Sequence, residues 1–163
     1  MFTAEQRSSA AALLADLRKR QIILVTAESC SGGLIIALMT EIAGASDVID
    51  RGFITYSNAA KTEMLGVPAE IITQYGAVSR EVAEAMALGA LSYSQADLAV
   101  SVTGIAGPGG GNAEKPVGLV HLAVARLGAE PLHQQCLFGN IGRSEIRAKT
   151  VNRALMLIRR ALS

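Results

Sequence analysis

The chain has 163 residues, half of them hydrophobic, with 15 Lys and Arg against 14 Asp and Glu. That length and apolar content predict one domain, residues 1–163, with a core large enough to need no metal or disulfide staple. The near-zero net charge excludes a broad nucleic-acid footprint and attraction to anionic membranes, so an anionic ligand has to be held locally. No apolar run approaches the ~20 residues of a membrane span, and the polar start Phe2-Thr3-Ala4-Glu5-Gln6-Arg7 does not read as an export signal. Cys30 and Cys136 lack metal-ligand spacing, and a cytoplasmic protein with free thiols is the expectation.

Apolar residues at Ala11, Leu13, Leu14 and Leu17 predict a helix over Ala4 to Arg20, and the run Ile22 to Thr26 a buried strand. After the small-residue elbow Glu28-Ser29-Cys30-Ser31-Gly32-Gly33, a second helix is predicted over Leu34 to Ile42 with Ser31 as its N-cap. A strand over Val48 to Tyr56 leads through Ser57-Asn58 into a helix that carries Lys61 and ends near Gly66, and Pro68 starts a short helical piece. Ser79 caps a helix running to Tyr93, followed by a strand over Leu98 to Thr103. The glycine-rich stretch from Gly104 to Asn112 interrupts all periodicity. Strands over Val117 to Ala125 and Leu132 to Phe138 then predict an antiparallel hairpin, and Arg143 to Leu162 a closing amphipathic helix.

Alternating helices and strands with a late hairpin predict an α/β fold, a three-layer α/β/α sandwich on a mixed, mostly parallel sheet. Ligands of such sheets bind at the carboxyl ends of strands. The Ser29 turn, the Tyr56 turn and the Gly104 loop each follow a strand and are expected to face one cleft.

Three elements carry the candidate chemistry. Ser29 sits between a strand and a helix N-terminus, where following amides can hold an oxyanion, although Ser29 and Ser31 equally suit helix caps. Cys30 has no histidine partner in the sequence and reads as structural, with His121 inside an apolar strand and His133 beside Pro131. Tyr56 and Lys61 follow the next strand. A buried lysine with a depressed pKa can serve as the base for a serine hydroxyl, while the competing reading leaves Lys61 solvated and Tyr56 an ordinary strand end. The glycine-rich loop is neither a Walker loop nor a dinucleotide fingerprint, which leaves a backbone cradle or a surface loop. Arg143 and Arg147, one helical turn apart, can jointly hold a phosphate or form a solvated face.

Together, Thr26-Ala27-Glu28-Ser29-Cys30-Ser31-Gly32-Gly33, Arg51-Gly52-Phe53, Thr55-Tyr56-Ser57-Asn58, Lys61, Gly76-Ala77-Val78-Ser79, Gly104-Ile105-Ala106-Gly107-Pro108 and Glu114-Lys115-Pro116-Val117-Gly118 resemble the CinA C-terminal family, the nicotinamide-nucleotide amidases. The resemblance implies hydrolysis of the nicotinamide mononucleotide carboxamide to nicotinic acid mononucleotide and ammonia, in pyridine-nucleotide salvage, with no metal or organic cofactor. It implies Ser29 as nucleophile, Lys61 as general base and Tyr56 as its partner. Cys30, Ser31, Gly32 and Gly33 would supply oxyanion-hole amides, and Thr103, Gly104 and Gly107 would line the nucleotide pocket. The chain looks like a stand-alone amidase without the N-terminal domain of larger CinA proteins, and a homodimer is expected from the family.

One segment departs from the family pattern. Phe138-Gly139-Asn140-Ile141-Gly142-Arg143 is longer than the usual stretch and lacks its aspartate, so phosphate binding by Arg143 carries an altered geometry. That departure motivates a second reading, a non-catalytic nucleotide-binding or regulatory module.

Overall fold

The computed structural model describes residues 2–163. Its elements are α1 (Ala4–Arg20), β1 (Leu24–Glu28), α2 (Leu34–Thr40), a 3-10 turn (Ala45–Asp47), β2 (Ile49–Ile54), α3 (Asn58–Leu65), α4 (Ala69–Tyr75), α5 (Arg80–Ser92), β3 (Leu98–Gly104), β4 (Leu119–Arg126), β5 (Leu132–Leu137) and α6 (Arg143–Leu162). The five strands form one sheet in the order β2-β1-β3-β4-β5. β1 runs parallel to both β2 and β3, while β4 and β5 add antiparallel. The sheet is thus mixed, with the parallel half built from crossovers and the antiparallel half from the predicted hairpin.

Helices cover both faces with different residue sizes. On one face Leu24, Leu98, Val100, Leu122 and Val124 pack against leucines and isoleucines of α1, α2 and α6. On the other, the strands present mainly alanines, Ala27, Ala99, Ala123 and Ala125, to Val82, Ala83, Met86, Ala87 and Ala90 of α5. Small residues on both sides let α5 lie close to the sheet, and Ser101 Oγ donates to Ala83 O at 2.5 Å. The same closeness recurs between helices, because Gly89 of α5 packs directly on the Leu65 carbonyl at the end of α3.

Local sequence accounts for most helix ends. Thr3 and Gln6 form a capping box at α1, Ser57 caps α3 through the Ala60 N–H, and Ser79 caps α5 through the Val82 N–H. α2, α4 and α6 start without a side-chain cap at the N-cap position, and α2 corrects the expectation for Ser31. Its N-cap is Gly33, with no side-chain cap at that position, and the fully buried Ser31 hydroxyl has no partner among the described residues. The helix start is held instead by Glu28, whose buried carboxylate accepts the N–H groups of Gly33, Ile35 and Ile36 at 2.9–3.1 Å. A carboxylate at the positive end of a helix dipole does the work of a cap from five to eight residues away. Among the described residues no helix is long and apolar enough to cross a membrane.

Candidate active site

The parallel strands end together, and the loops that leave β1, β2 and β3 converge. A cavity of about 220 Å³ is lined by Ser29, Cys30, Tyr56, Lys61, Thr103 and Arg143 among others. Each loop contributes through its own element. β1 delivers Ser29, whose N–H donates to Val102 O and so pins the turn to β3. β2 delivers Tyr56, and α3 carries Lys61 back over the same pocket.

Lys61 is only 1% exposed. Its Nζ lies 3.1 Å from Ser29 Oγ, 2.9 Å from Thr55 O and 3.4 Å from Tyr56 O. It makes no ion pair among the described residues. Burial without a carboxylate holds its ammonium below the usual lysine range, with Cys30 acting in the opposite sense. The three neighbours are not equivalent. Two are carbonyls that only accept, so the two N–H groups of a neutral amine go to Thr55 O and Tyr56 O, and its lone pair is left facing the Ser29 hydroxyl. This arrangement holds the Ser29 hydroxyl and the Lys61 amine within hydrogen-bond distance in a buried setting.

The turn after Ser29 divides its amides. Gly32 N–H donates to Ser29 O at 3.0 Å and Gly33 N–H to Glu28. These bonds correct the assignment of Gly32 and Gly33 to an oxyanion hole, because both amides already have acceptors. Those of Cys30 and Ser31 donate to no backbone carbonyl among the described residues and lie against the Cys30 thiol, beside Ser29. Glu28 is committed to the α2 amides and to Thr26. The Cys30 thiol is buried and pushed up to about 12, chiefly by that burial, which favours the protonated thiol over the thiolate.

The third loop forms the far wall. Thr103 Oγ1 donates to Ala77 O at 2.7 Å. Gly104 leaves no room for a side chain, since a Cβ there would meet Val120 Cγ2 at 2.7 Å and Cys30 Sγ at 3.1 Å. Gly107 offers its carbonyl to Arg143. Tyr56 is 61% exposed, and its hydroxyl accepts from Arg143 Nη2 at 2.9 Å rather than contacting Lys61. The phenol therefore marks the pocket rim, and only the Tyr56 main chain touches the lysine.

Arg143 and Arg147 do not form the joint phosphate clamp that their spacing allowed. Arg143 reaches Tyr56 and Gly107 at the mouth, whereas Arg147 turns inward and donates to Ser31 O at 2.9 Å. A larger cleft of about 560 Å³ lies beyond Val78, which lines both spaces. Its Ser79 hydroxyl is committed to Gly76 O and the Val82 N–H, whereas Ser29 and Lys61 line the smaller cavity. Among the described residues no three His, Cys, Asp or Glu side chains gather in a way that could hold a metal ion.

A family model, the CinA C-terminal domain, matches residues 6–162. The chain belongs to the CinA C-terminal domain family. A CinA-like protein of Akkermansia muciniphila is 50% identical over 88% of this chain and 34% of its own length, and one of Syntrophus aciditrophicus is 42% identical over 100% and 39%. The chain thus spans about a third of the curated CinA relatives it matches. Among solved structures, the competence/damage inducible protein CihA of Agrobacterium tumefaciens superposes with a TM-score of 0.98 at 51% identity, covering 100% of this chain and 99% of that one. The competence damage-inducible protein A of Klebsiella pneumoniae reaches 0.91 at 32% identity, covering 96% of both.

The segment that departs from the CinA pattern is accommodated by packing. Phe138 N–H donates to Gly118 O at 2.9 Å, and Gly118 lies so close to Gly139 that a Cβ there would come within 2.4 Å of its carbonyl. The longer path from Phe138 still ends with Arg143 at the cavity mouth.

Proposed function

We propose that this CinA-family chain is a serine amidohydrolase that converts nicotinamide mononucleotide to nicotinic acid mononucleotide and ammonia. The observation that carries the reading is the buried Lys61 amine, without an ion pair among the described residues, 3.1 Å from Ser29 Oγ and beside two amides that donate to no backbone carbonyl among those residues. In this reading neutral Lys61 takes the Ser29 proton as Oγ attacks the carboxamide carbon, and the Cys30 and Ser31 amides hold the oxyanion. The Lys61 ammonium then returns the proton to the leaving nitrogen, which departs as ammonia. Water, deprotonated by Lys61, attacks the resulting ester and releases the acid and Ser29. Tyr56, Thr103, Gly104, Gly107 and Arg143 bind the rest of the substrate at the cavity wall and mouth.

The test is ammonia release from the mononucleotide, run beside free nicotinamide and a Ser29→Ala variant. The variant loses turnover on the order of 10⁴-fold while keeping its melting temperature. kcat/KM rises with pH through a base whose pKa lies below the ordinary lysine value, in line with the desolvation of Lys61. Unchanged turnover in Ser29→Ala removes Ser29 as nucleophile. A wild-type protein that binds the mononucleotide without releasing ammonia favours the regulatory reading instead. Light scattering checks the homodimer that accompanies the family reading.

A further inference from the structure

We propose that Arg147 is a positioning residue that holds the nucleophile turn in the form that presents the Cys30 and Ser31 amides to the reacting carbonyl, an inference that rests on the serine amidase reading. The turn from Ser29 to Gly33 has few anchors. Its own bonds are Gly32 N–H to Ser29 O and Leu34 N–H to Ser31 O, the latter long at 3.3 Å. Ser29 N–H is tied to β3 through Val102 O, and Gly33 N–H to Glu28. Among the described residues, the one side chain from outside β1 that reaches the backbone of this turn is Arg147, with Nη2 2.9 Å from Ser31 O across 116 residues of sequence.

Two further observations place the guanidinium as part of the turn's support. It lies over Gly32, where a Cβ would come within 3.3 Å of Nη2, and Gly32 itself sits at φ +60°, so a side chain at Gly32 would be strained and would crowd the guanidinium. Among the described residues its buried Nε has no partner, nor has the Ser31 hydroxyl, so the guanidinium is held at a desolvation penalty while it bonds to Ser31 O. Fixing that carbonyl fixes the rotation of the Ser31–Gly32 peptide and, through the Ser31 dihedrals, the direction of the amide one peptide earlier. Arg147 also contributes positive charge felt at Cys30, next to the place where the oxyanion forms. α6 thereby serves the cavity with two successive turns, Arg143 at the mouth and Arg147 behind the turn.

The test is Arg147→Met, which keeps an unbranched stem and removes the donors, measured by steady-state kinetics and by amide hydrogen exchange of the Ser29 to Ile35 segment. The expected result is a loss in kcat of roughly 10²-fold with KM nearly unchanged, because an oxyanion hole acts on the transition state alone. Exchange in the segment speeds up while that in β3 and α5 stays protected. Unchanged exchange in the segment, or an effect confined to KM, overturns the proposal. If Arg147→Met does not fold, Arg147→Gln carries the same two readouts. Exchange needs no substrate, so a wild type without amidase activity sinks the proposed reaction while the anchoring of the turn is still decided by exchange.

Discussion

Gly89→Ala places a methyl group where the distance between two helices is set. In a helix interior, alanine in place of glycine ordinarily stabilises by roughly 0.5–1 kcal/mol. Here the added Cβ would lie 1.9 Å from Leu65 O and 2.9 Å from its carbonyl carbon, both main-chain atoms that cannot rotate away. Moving that oxygen from 1.9 Å to an ordinary 3.4 Å contact requires α3 to retreat by about 1.5 Å. Overpacking of this kind costs about 1–3 kcal/mol, which outweighs the propensity gain and leaves a net loss of roughly 1–2 kcal/mol. For a chain of this size that lowers Tm by about 2–8 °C. α3 also carries Lys61 one turn before Leu65, so the retreat draws the amine from Ser29, and misplacement on this scale costs turnover roughly 10²-fold. The assay is a thermal melt and ammonia release, with Gly109→Ala as control because its Cβ would meet nothing within 4 Å. A Gly89→Ala protein with a raised Tm and full turnover refutes the packing argument.

Three further perturbations test other parts of the site. Glu28→Gln replaces one carboxylate oxygen by an NH₂ that must face a backbone N–H in either orientation, and urea unfolding should show a loss of roughly 2–4 kcal/mol; a change below about 0.5 kcal/mol refutes the capping role. His121 Nδ1 lies 2.9 Å from His133 Nε2, and burial first, then the neighbouring His133 and Lys115, push His121 down to about 4, with Glu81 opposing. Between the ordinary value of 6.5 and about 4 the unfolded chain binds the extra proton, so stability falls by roughly 3 kcal/mol as pH drops through that window and levels off below it. His121→Asn should remove about one proton from the slope of stability against pH, and an unchanged slope refutes the assignment. Cys30, pushed up to about 12, should resist iodoacetamide at pH 8 in the folded protein by intact mass, and Cys30→Ala should keep turnover within about tenfold; rapid labelling with loss of activity would return Cys30 to the list of nucleophiles.

Much of the site was legible because its groups sit at strand ends, where β-branched runs stop and small residues begin. Ser29 and Tyr56 follow strands and Gly104 ends one, and the parallel half of the sheet brings such ends together by construction. Lys61 was legible as a candidate only. Its spacing in α3 does not distinguish a solvated amine from a buried one, and burial comes from α3 setting the amine against the loops that leave β1 and β2. Ser31 was misread as a cap because local capping rules weigh the residue beside the helix, whereas a carboxylate at the end of the preceding strand had the reach and charge to take three amides. The Arg143 and Arg147 pair separated because residues four apart on a helix differ by about 40° in direction, enough for one to reach the cavity mouth and the other the back of the turn.

The sequence by itself determined the elements and their order, because caps at Thr3, Ser57 and Ser79, the apolar periods and the glycine interruptions act over a few residues. It also marked where chemistry would sit. Only the tertiary structure decided which groups meet: the strand order that sets β1 between β2 and β3, the desolvation of Lys61, and the close contacts at Gly89 and Gly32. Those depend on distances across many residues of chain, and neither hydrophobic period nor residue type encodes them locally.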